Sequence, residues 1–227
     1  PAYHLHEDPA DAAPARLIVS DLSLKSGRDH GVDLRSISLT VAAGEILGIA
    51  GIAGNGQSEL MAALSGEALA ARADVVTIEG VAAGRLRPAD RRALSACFVP
   101  EDRYGHGAVP GMSLSENALL SAYQSKGLAP YGMVDAPKTR RFARAIIESF
   151  SVKSDGPAAE AQSLSGGNLQ RFIVGREILQ GPNVLVVAQP TWGLDAGAAA
   201  AIRQALLDLA DKGAEVVVNS QDLDELI

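Results

Sequence analysis

The chain has 227 residues, of which 47% are hydrophobic and 21% are charged. This balance is typical of soluble globular proteins and excludes a disordered chain, which has few apolar residues and a high net charge. The 20 Lys and Arg residues against 27 Asp and Glu give a net charge of −7, which disfavours nucleic acid and anionic lipid as partners. No apolar stretch approaches the roughly 20 residues that span a bilayer, and no basic, apolar leader begins the sequence, so we expect a cytoplasmic protein.

The order of predicted elements indicates an α/β fold. Residues 1–14 lack periodicity and predict a linker or a disordered lead-in. Apolar runs bounded by turn residues predict strands at 17–19, 37–41, 45–50, 75–80, 96–99, 184–187 and 215–218. Three- and four-residue apolar spacings predict helices at 58–64, 166–179 and 198–209, and further helices between 113 and 151. Ala43 and Gly44 predict a hairpin turn, and the later strands alternate with helices, which argues for a mainly parallel sheet covered on both faces.

A glycine-rich segment between a predicted strand and a helix has the spacing of a phosphate-binding loop. In such a loop the backbone N–H groups and a helix N-terminus face the phosphates, a lysine reaches the β- and γ-phosphates, and a hydroxyl contacts Mg²⁺. Gln57 replaces the lysine, while Ser58 keeps the hydroxyl as a weak metal ligand. The predicted nucleotide-binding residues here are Gly51, Gly54, Asn55, Gly56, Gln57 and Ser58. The alternative is a tight connection without a ligand.

The replacement at Gln57 has a calculable cost. A hydrogen bond to a charged group contributes about 1.5 to 3 kcal/mol and a neutral one about 1, so the loss of the lysine costs about tenfold or more in phosphate affinity.

A second motif, Leu164-Ser165-Gly166-Gly167-Asn168, opens a predicted helix. Together with the loop it resembles the signature motif of ATP-binding cassette (ABC) proteins, although alone it is also typical of an ordinary helix cap. Further matches follow in order, with Val99–Arg103 at the family's Q-loop and Gln189–Asp195 at its Walker B and D-loop positions. The resemblance runs from residue 17 to 227. It implies a P-loop NTPase-like, mainly parallel sheet with an antiparallel β-subdomain and an α-helical subdomain inserted at about 111–165.

The resemblance also implies hydrolytic residues that this sequence lacks. The Walker B strand should end in Asp and Glu, but Ala188 and Gln189 stand there. Gln221 replaces the switch histidine, and Glu101 replaces the Q-loop glutamine. Because charge neutralisation, metal binding and water activation are lost together, we expect no competent catalytic residue in this chain and negligible hydrolysis at its own loop. The aromatic residue that stacks on adenine in the family also has no clear equivalent, since His30 is the only ring in that region.

The signature motif is complete, in contrast to the other motifs. In ABC dimers two cassettes sandwich ATP head to tail, so the signature of one half completes the site of the other. We therefore expect the predicted helix N-terminus to contact a γ-phosphate that a partner presents. The residues assigned to this contact are Ser165, Gly166, Gly167 and Asn168. Asp195 resembles the D-loop aspartate, a cross-dimer contact, and is equally typical of a helix cap.

Two groups of arginines are interpreted as solvated helix faces rather than phosphate patches. They are Arg91 and Arg92, and Arg140, Arg141 and Arg144.

The variant motifs resemble the second, degenerate cassette of the double-cassette ATPases of bacterial sugar and nucleoside importers. This resemblance implies a linker at 1–14 and a C-terminally truncated cassette at 15–227. It implies ATP and Mg²⁺ in the assembled dimer and weak or absent binding to the isolated chain. The implied partners are an N-terminal cassette of the same polypeptide or another ABC subunit, transmembrane permease subunits, and indirectly a substrate-binding lipoprotein. The implied location is cytoplasmic, on the inner face of the membrane.

Two alternatives from other functional classes remain open. One is a self-sufficient nucleotide hydrolase with unorthodox catalytic groups, which turnover by the isolated chain, abolished by Gln57→Ala, would favour. The other is a non-transport scaffolding module built from a cassette dimer.

Overall fold

The computed structural model describes residues 15–27, 31–52 and 54–221. The predicted linker at 1–14, the His30 assignment and the end of the chain after Gln221 lie outside these ranges. The elements in chain order are β1 (Leu17–Leu24), β2 (Leu34–Val41), β3 (Ile46–Ala50), α1 (Gln57–Ser65), β4 (Val76–Ile78), β5 (Val81–Ala82), α2 (Pro88–Ala93), β6 (Ala96–Val99), α3 (Leu114–Ala122), α4 (Ala136–Ser149), α5 (Gly166–Ile178), β7 (Val184–Ala188), α6 (Ala196–Ala210) and β8 (Glu215–Ser220). Within the described ranges, no helix is long and apolar enough to cross a membrane.

The strands form two sheets, which confirms the predicted fold class. An antiparallel sheet has the order β2-β1-β4-β5, and a parallel sheet has the order β3-β8-β7-β6. Strands β6, β7 and β8 are buried along their whole length, as expected for a parallel sheet covered on both faces. Helices α3 and α4 lie between β6 and α5 in the chain, inside the segment 111–165.

The predicted hairpin across Ala43 and Gly44 is wrong. Strand β2 pairs with β1, with Leu17 opposite Val41, whereas β3 pairs with β8. The turn itself forms, because the Glu45 amide donates to the Ala42 carbonyl at 2.9 Å, but it passes the chain from one sheet to the other. The reason is the apolar β8, which needs a strand on each edge; β3 covers one edge and β7 the other.

The parallel order brings the predicted site segments together. The carboxyl ends of parallel strands meet at one edge of a sheet, where ligands bind in open α/β folds. The segments that leave this edge are the glycine-rich loop after β3, the Glu101 segment after β6, Gln189 after β7 and Gln221 after β8.

The two arginine groups have different environments. Arg140, Arg141 and Arg144 are exposed on α4, as predicted. The prediction for Arg91 and Arg92 is wrong, since Arg91 is completely buried and the Arg92 side chain is only 20% exposed.

Arg91 stabilises the end of α1. Its Nη1 donates to the carbonyl oxygens of Ala63 at 2.7 Å and Leu64 at 2.6 Å, and its Nε donates to the Leu86 carbonyl at 3.0 Å. A guanidinium at the carboxyl end of a helix satisfies the free carbonyls and complements the helix dipole. Burial lowers the pKa of Arg91 to about 10.

A buried carboxylate links helices α2, α3 and α5. Glu177 of α5 accepts hydrogen bonds from Arg92 at 2.6 Å, Ser121 at 2.6 Å, Arg176 at 2.8 Å and Gln180 at 2.8 Å. Arg92 belongs to α2 and Ser121 to α3, so one carboxylate links three helices. Burial opposes the ionisation of Glu177, but the two arginines outweigh it and lower its pKa to about 2.

We predict that Glu177→Gln lowers the free energy of unfolding by about 3 to 5 kcal/mol, because it leaves the buried arginine charges without a counter-ion. Urea denaturation followed by circular dichroism measures the change. Glu148→Gln on the exposed face of α4 is the matched control and should change stability by less than about 0.5 kcal/mol.

Comparison of the wild type with Glu177→Gln at different pH values tests the lowered pKa of Glu177. The folded pKa lies below the unfolded value of about 4.3, so the stabilisation by ionised Glu177 is complete above about pH 5 and is lost as the pH falls toward 2. The difference in the free energy of unfolding between wild type and Glu177→Gln should therefore become smaller as the pH is lowered. A difference that stays constant down to about pH 3 contradicts this assignment.

Candidate functional site

The glycine-rich loop adopts the expected backbone shape. Gly54 and Gly56 have φ angles of 89° and 97°, in the left-handed region that favours glycine. Gly56 is the N-cap of α1, and Gln57 is its first residue. The strand, loop and helix therefore follow in the order that a phosphate loop requires.

The side chain of Gln57 folds back into this loop. Its Oε1 accepts a hydrogen bond from the backbone N–H of Asn55 at 3.2 Å, and its Nε2 donates to the backbone carbonyl of Ile52 at 3.2 Å. A Cβ built on Gly51 would lie 2.1 Å from Nε2, so the amide rests directly against the loop backbone. A backbone N–H of the loop is thus engaged by a neutral side chain of the loop itself.

Three of the predicted residues line one cleft of about 510 Å³ at the carboxyl edge of the sheet: Ser58, Glu101 and Ala188. Arg92 and Arg176 also line it, but both bond to Glu177. Gln57, Gln189 and Gln221 are not among its lining residues.

This cleft does not fit a resident Mg²⁺. Ala188 offers a methyl group where a metal carboxylate is expected, and the described part of the chain contains no group of three or more metal-ligating carboxylate, imidazole or thiolate side chains. The Ser58 hydroxyl alone is a poor metal ligand.

Gln189 lies just after β7 and is 8% exposed. Its backbone N–H donates to the backbone carbonyl of Asn219 in β8 at 2.8 Å. Its φ of 48° lies in the left-handed region, which costs a non-glycine residue on the order of 1 kcal/mol. Gln221, at the end of the described ranges, is exposed just after β8.

The signature segment begins α5. Ser165 is the N-cap, and its Oγ accepts from the Asn168 backbone amide at 3.4 Å and from Asn168 Nδ2 at 2.9 Å. Asn168 Oδ1 accepts from the Lys153 amide at 2.9 Å, which anchors the cap to the preceding loop. Ser165 and Gly166 are exposed, so this helix N-terminus is open to a partner.

Asp195 caps α6. Its Oδ1 accepts from the Ala198 amide at 2.8 Å, and its Oδ2 accepts from Arg171 at 2.9 Å. The Ala198 hydrogen bond and the Arg171 charge lower the pKa of Asp195. The helix-cap alternative is therefore confirmed. With the carboxylate 70% exposed, the cross-dimer contact stays a prediction.

Arg103 ends the motif Val99–Arg103, in which the sequence predicts no role for the arginine. Its Nε donates to Gln170 Oε1 at 3.0 Å, and its Nη2 donates to the carbonyl of Trp192. The adjacency of these three segments could not be read from a sequence in which Arg103 and Trp192 are 89 residues apart.

A family model described as ABC transporter matches residues 34–192. The nucleoside import ATP-binding protein NupA of Lactococcus lactis subsp. cremoris is 39% identical over 93% of this chain and 41% of its own length. The ribose import ATP-binding protein RbsA of Bacillus licheniformis is 34% identical over 94% of this chain and 42% of its own length. The chain thus spans less than half the length of these relatives.

The fold is also shared with a solved structure, a dimer of the ATP-binding cassette MJ0796 bound to ADP and Pi. The TM-score is 0.73 at 20% identity, over 92% of this chain and 89% of that one. The match of the family model over most of the chain and the agreement of both sheets with the cassette fold lead to one conclusion. The chain belongs to the ABC transporter family.

Proposed function

We propose that this chain supplies its signature motif in trans to an ATP site built on a partner cassette, while its own phosphate loop does not support hydrolysis. The observation that carries the proposal is the position of the Gln57 side chain, whose Oε1 accepts a hydrogen bond from the backbone N–H of Asn55 in the loop. The Gln57 side chain thus engages the loop, whereas Ser165 and Gly166 at the start of α5 are exposed.

Three features of the chain's own site support the first half of the proposal. Gln57 supplies no positive charge, Ala188 supplies no metal ligand, and Gln189 supplies no carboxylate to accept a proton from water. Phosphoryl transfer is catalysed mainly by positioning and charge neutralisation, so the loss of all three leaves little catalytic power. Glu101 adds a negative charge in the same cleft, which disfavours a bound polyphosphate.

The signature supports the second half. Ser165 presents a hydroxyl, Gly166 and Gly167 present backbone amides without side chains, and α5 directs its positive dipole end outward. Both hydrogen bonds to the Ser165 hydroxyl oxygen come from Asn168, so the cap is held in place without a ligand. This geometry suits a γ-phosphate that another subunit presents.

We infer that the chain is the second cassette of a double-cassette importer ATPase. A relative more than twice as long leaves room for a first cassette of equal size. The names of the relatives point to a nucleoside or a sugar as the transported molecule. In this assignment the helices of the segment 111–165 and the Glu101 loop contact permease subunits at the inner face of the membrane. A substrate-binding lipoprotein delivers the cargo.

We predict that Ser165→Arg lowers the ATPase activity of the assembled double cassette at least tenfold, because a bulky side chain at the exposed cap blocks close approach of a phosphate. Steady-state ATPase assays with the permease present measure the effect. Ser163→Arg, an equally exposed serine two residues upstream, is the matched control and should retain activity. Gln57→Ala should also retain it. A silent Ser165→Arg contradicts the proposal.

A further prediction concerns the affinity of the isolated chain for nucleotide and its change in two Gln57 variants. Gln57→Lys should raise the affinity for MgATP about tenfold or more, since it restores a charged hydrogen bond, whereas Gln57→Ala removes the amide without adding charge and should raise it less. Isothermal titration calorimetry measures both. Tight binding to the wild-type chain that neither variant changes would show that Gln57 does not control the loop. Turnover by the isolated chain, abolished in Gln57→Ala, would favour a self-sufficient hydrolase instead.

A further inference from the structure

Arg103 connects three segments of the site that lie far apart in the sequence. Its Nε donates to Gln170 Oε1 on the signature helix at 3.0 Å, and its Nη2 donates to the Trp192 carbonyl in the D-loop. The guanidinium carbon also lies 5.1 Å from the centroid of the Trp192 ring, within the range of a cation–π contact. A single side chain after β6 thus touches both the signature helix and the D-loop.

Gln170 closes these contacts into a ring. It is 2% exposed, and its Nε2 donates to the carbonyls of Gln189 at 3.2 Å and Pro190 at 3.3 Å. Its Oε1 is the acceptor for Arg103. The hydrogen bonds therefore run from the Gln189 segment through Gln170 and Arg103 to Trp192, only three residues farther along the chain.

Two glycines make room for the Arg103 guanidinium. A Cβ built on Gly166, the first residue of the signature helix, would lie 2.7 Å from Nη1. A Cβ on Gly193 would lie 3.2 Å from Nη2. Arg103 therefore rests directly on the backbone of the signature motif and of the D-loop.

The backbone of Arg103 is also fixed. Its carbonyl accepts from the Ala108 amide at 2.7 Å, and the Asp102 carbonyl accepts from the Gly107 amide at 2.9 Å. A Cβ at Gly107 would approach both the Arg103 carbonyl and Ile173 Cδ1 to 2.9 Å, so the turn packs tightly against α5. In the described ranges no carboxylate forms an ion pair with Arg103, whose partners are an amide, a carbonyl and an aromatic ring.

We propose that Arg103 is the positioning residue that holds the signature helix and the D-loop in register for the partner's ATP. The inference rests on the function proposed above. The fixed backbone at Arg103 sets the length of the bridge between the other two segments. A longer or shorter bridge would misplace Ser165 relative to a phosphate held by the partner.

The geometry is tested first on this chain, where Trp192 is the only tryptophan and is 62% exposed. Arg103→Ala removes the group that covers one face of the ring, so the emission of Trp192 should shift to longer wavelength and acrylamide should quench it more strongly. Arg203→Ala on the exposed face of α6 is the control and should leave the emission unchanged. An unchanged spectrum in Arg103→Ala overturns the contact.

The role is tested in the assembled double cassette with its permease. Arg103→Ala should raise the KM for ATP about tenfold while the thermal midpoint stays within a few degrees, because misplaced binding groups weaken binding whereas partial unfolding lowers only the active fraction. Arg103→Lys keeps the charge but reaches only one of the two acceptors, so it should recover only part of the loss. Arg203→Ala should match the wild type.

The outcomes separate this inference from the proposed function. Loss of activity in Ser165→Arg together with an unchanged KM in Arg103→Ala overturns the role of Arg103 and leaves the proposed function standing. A silent Ser165→Arg overturns both. A raised KM in Arg103→Ala that Arg103→Lys restores completely shows that charge alone acts, and it overturns the bridging role.

Discussion

The parallel order of the β3-β8-β7-β6 sheet is the constraint on which the site depends. Because all four strands run in one direction, the segments that follow them emerge at a single edge. Strand β8 is buried along its length, so its backbone groups need a paired strand on each side, and β3 and β7 provide them. The glycine-rich loop, the Glu101 segment and Gln189 become neighbours for this reason, although up to 138 residues separate them.

The chain keeps the shape of a nucleotide site while it loses the charges. Gly54 and Gly56 set the loop backbone by their left-handed φ angles, and this depends on no charged side chain. The positive charges near the cleft, those of Arg92 and Arg176, serve a buried carboxylate instead. Shape and charge are therefore independent properties of this fold.

The sequence predicts the fold class, the loop and the signature helix because each rests on local signals: periodicity, glycine spacing and a capping serine. The hairpin across Gly44 failed because strand patterns do not name the partner strand. The prediction that Arg91 and Arg92 form a solvated helix face is wrong because a short helix can bury charged residues that have partners. Here backbone carbonyls accept from Arg91, and Glu177 accepts from Arg92. The contacts of Gln57 and Arg103 depend on side-chain paths through space, which no spacing rule contains.

In the proposed function the nucleotide lies on the partner's loop, and the signature motif of this chain contacts its γ-phosphate. Photolabelling of the assembled double cassette with 8-azido-ATP, followed by cleavage between the cassettes, tests this most directly. We expect the label on the partner cassette, and its loss when Ser165→Arg is introduced into this chain. Label on peptides of this chain, in equal or greater amount, would contradict the proposed function.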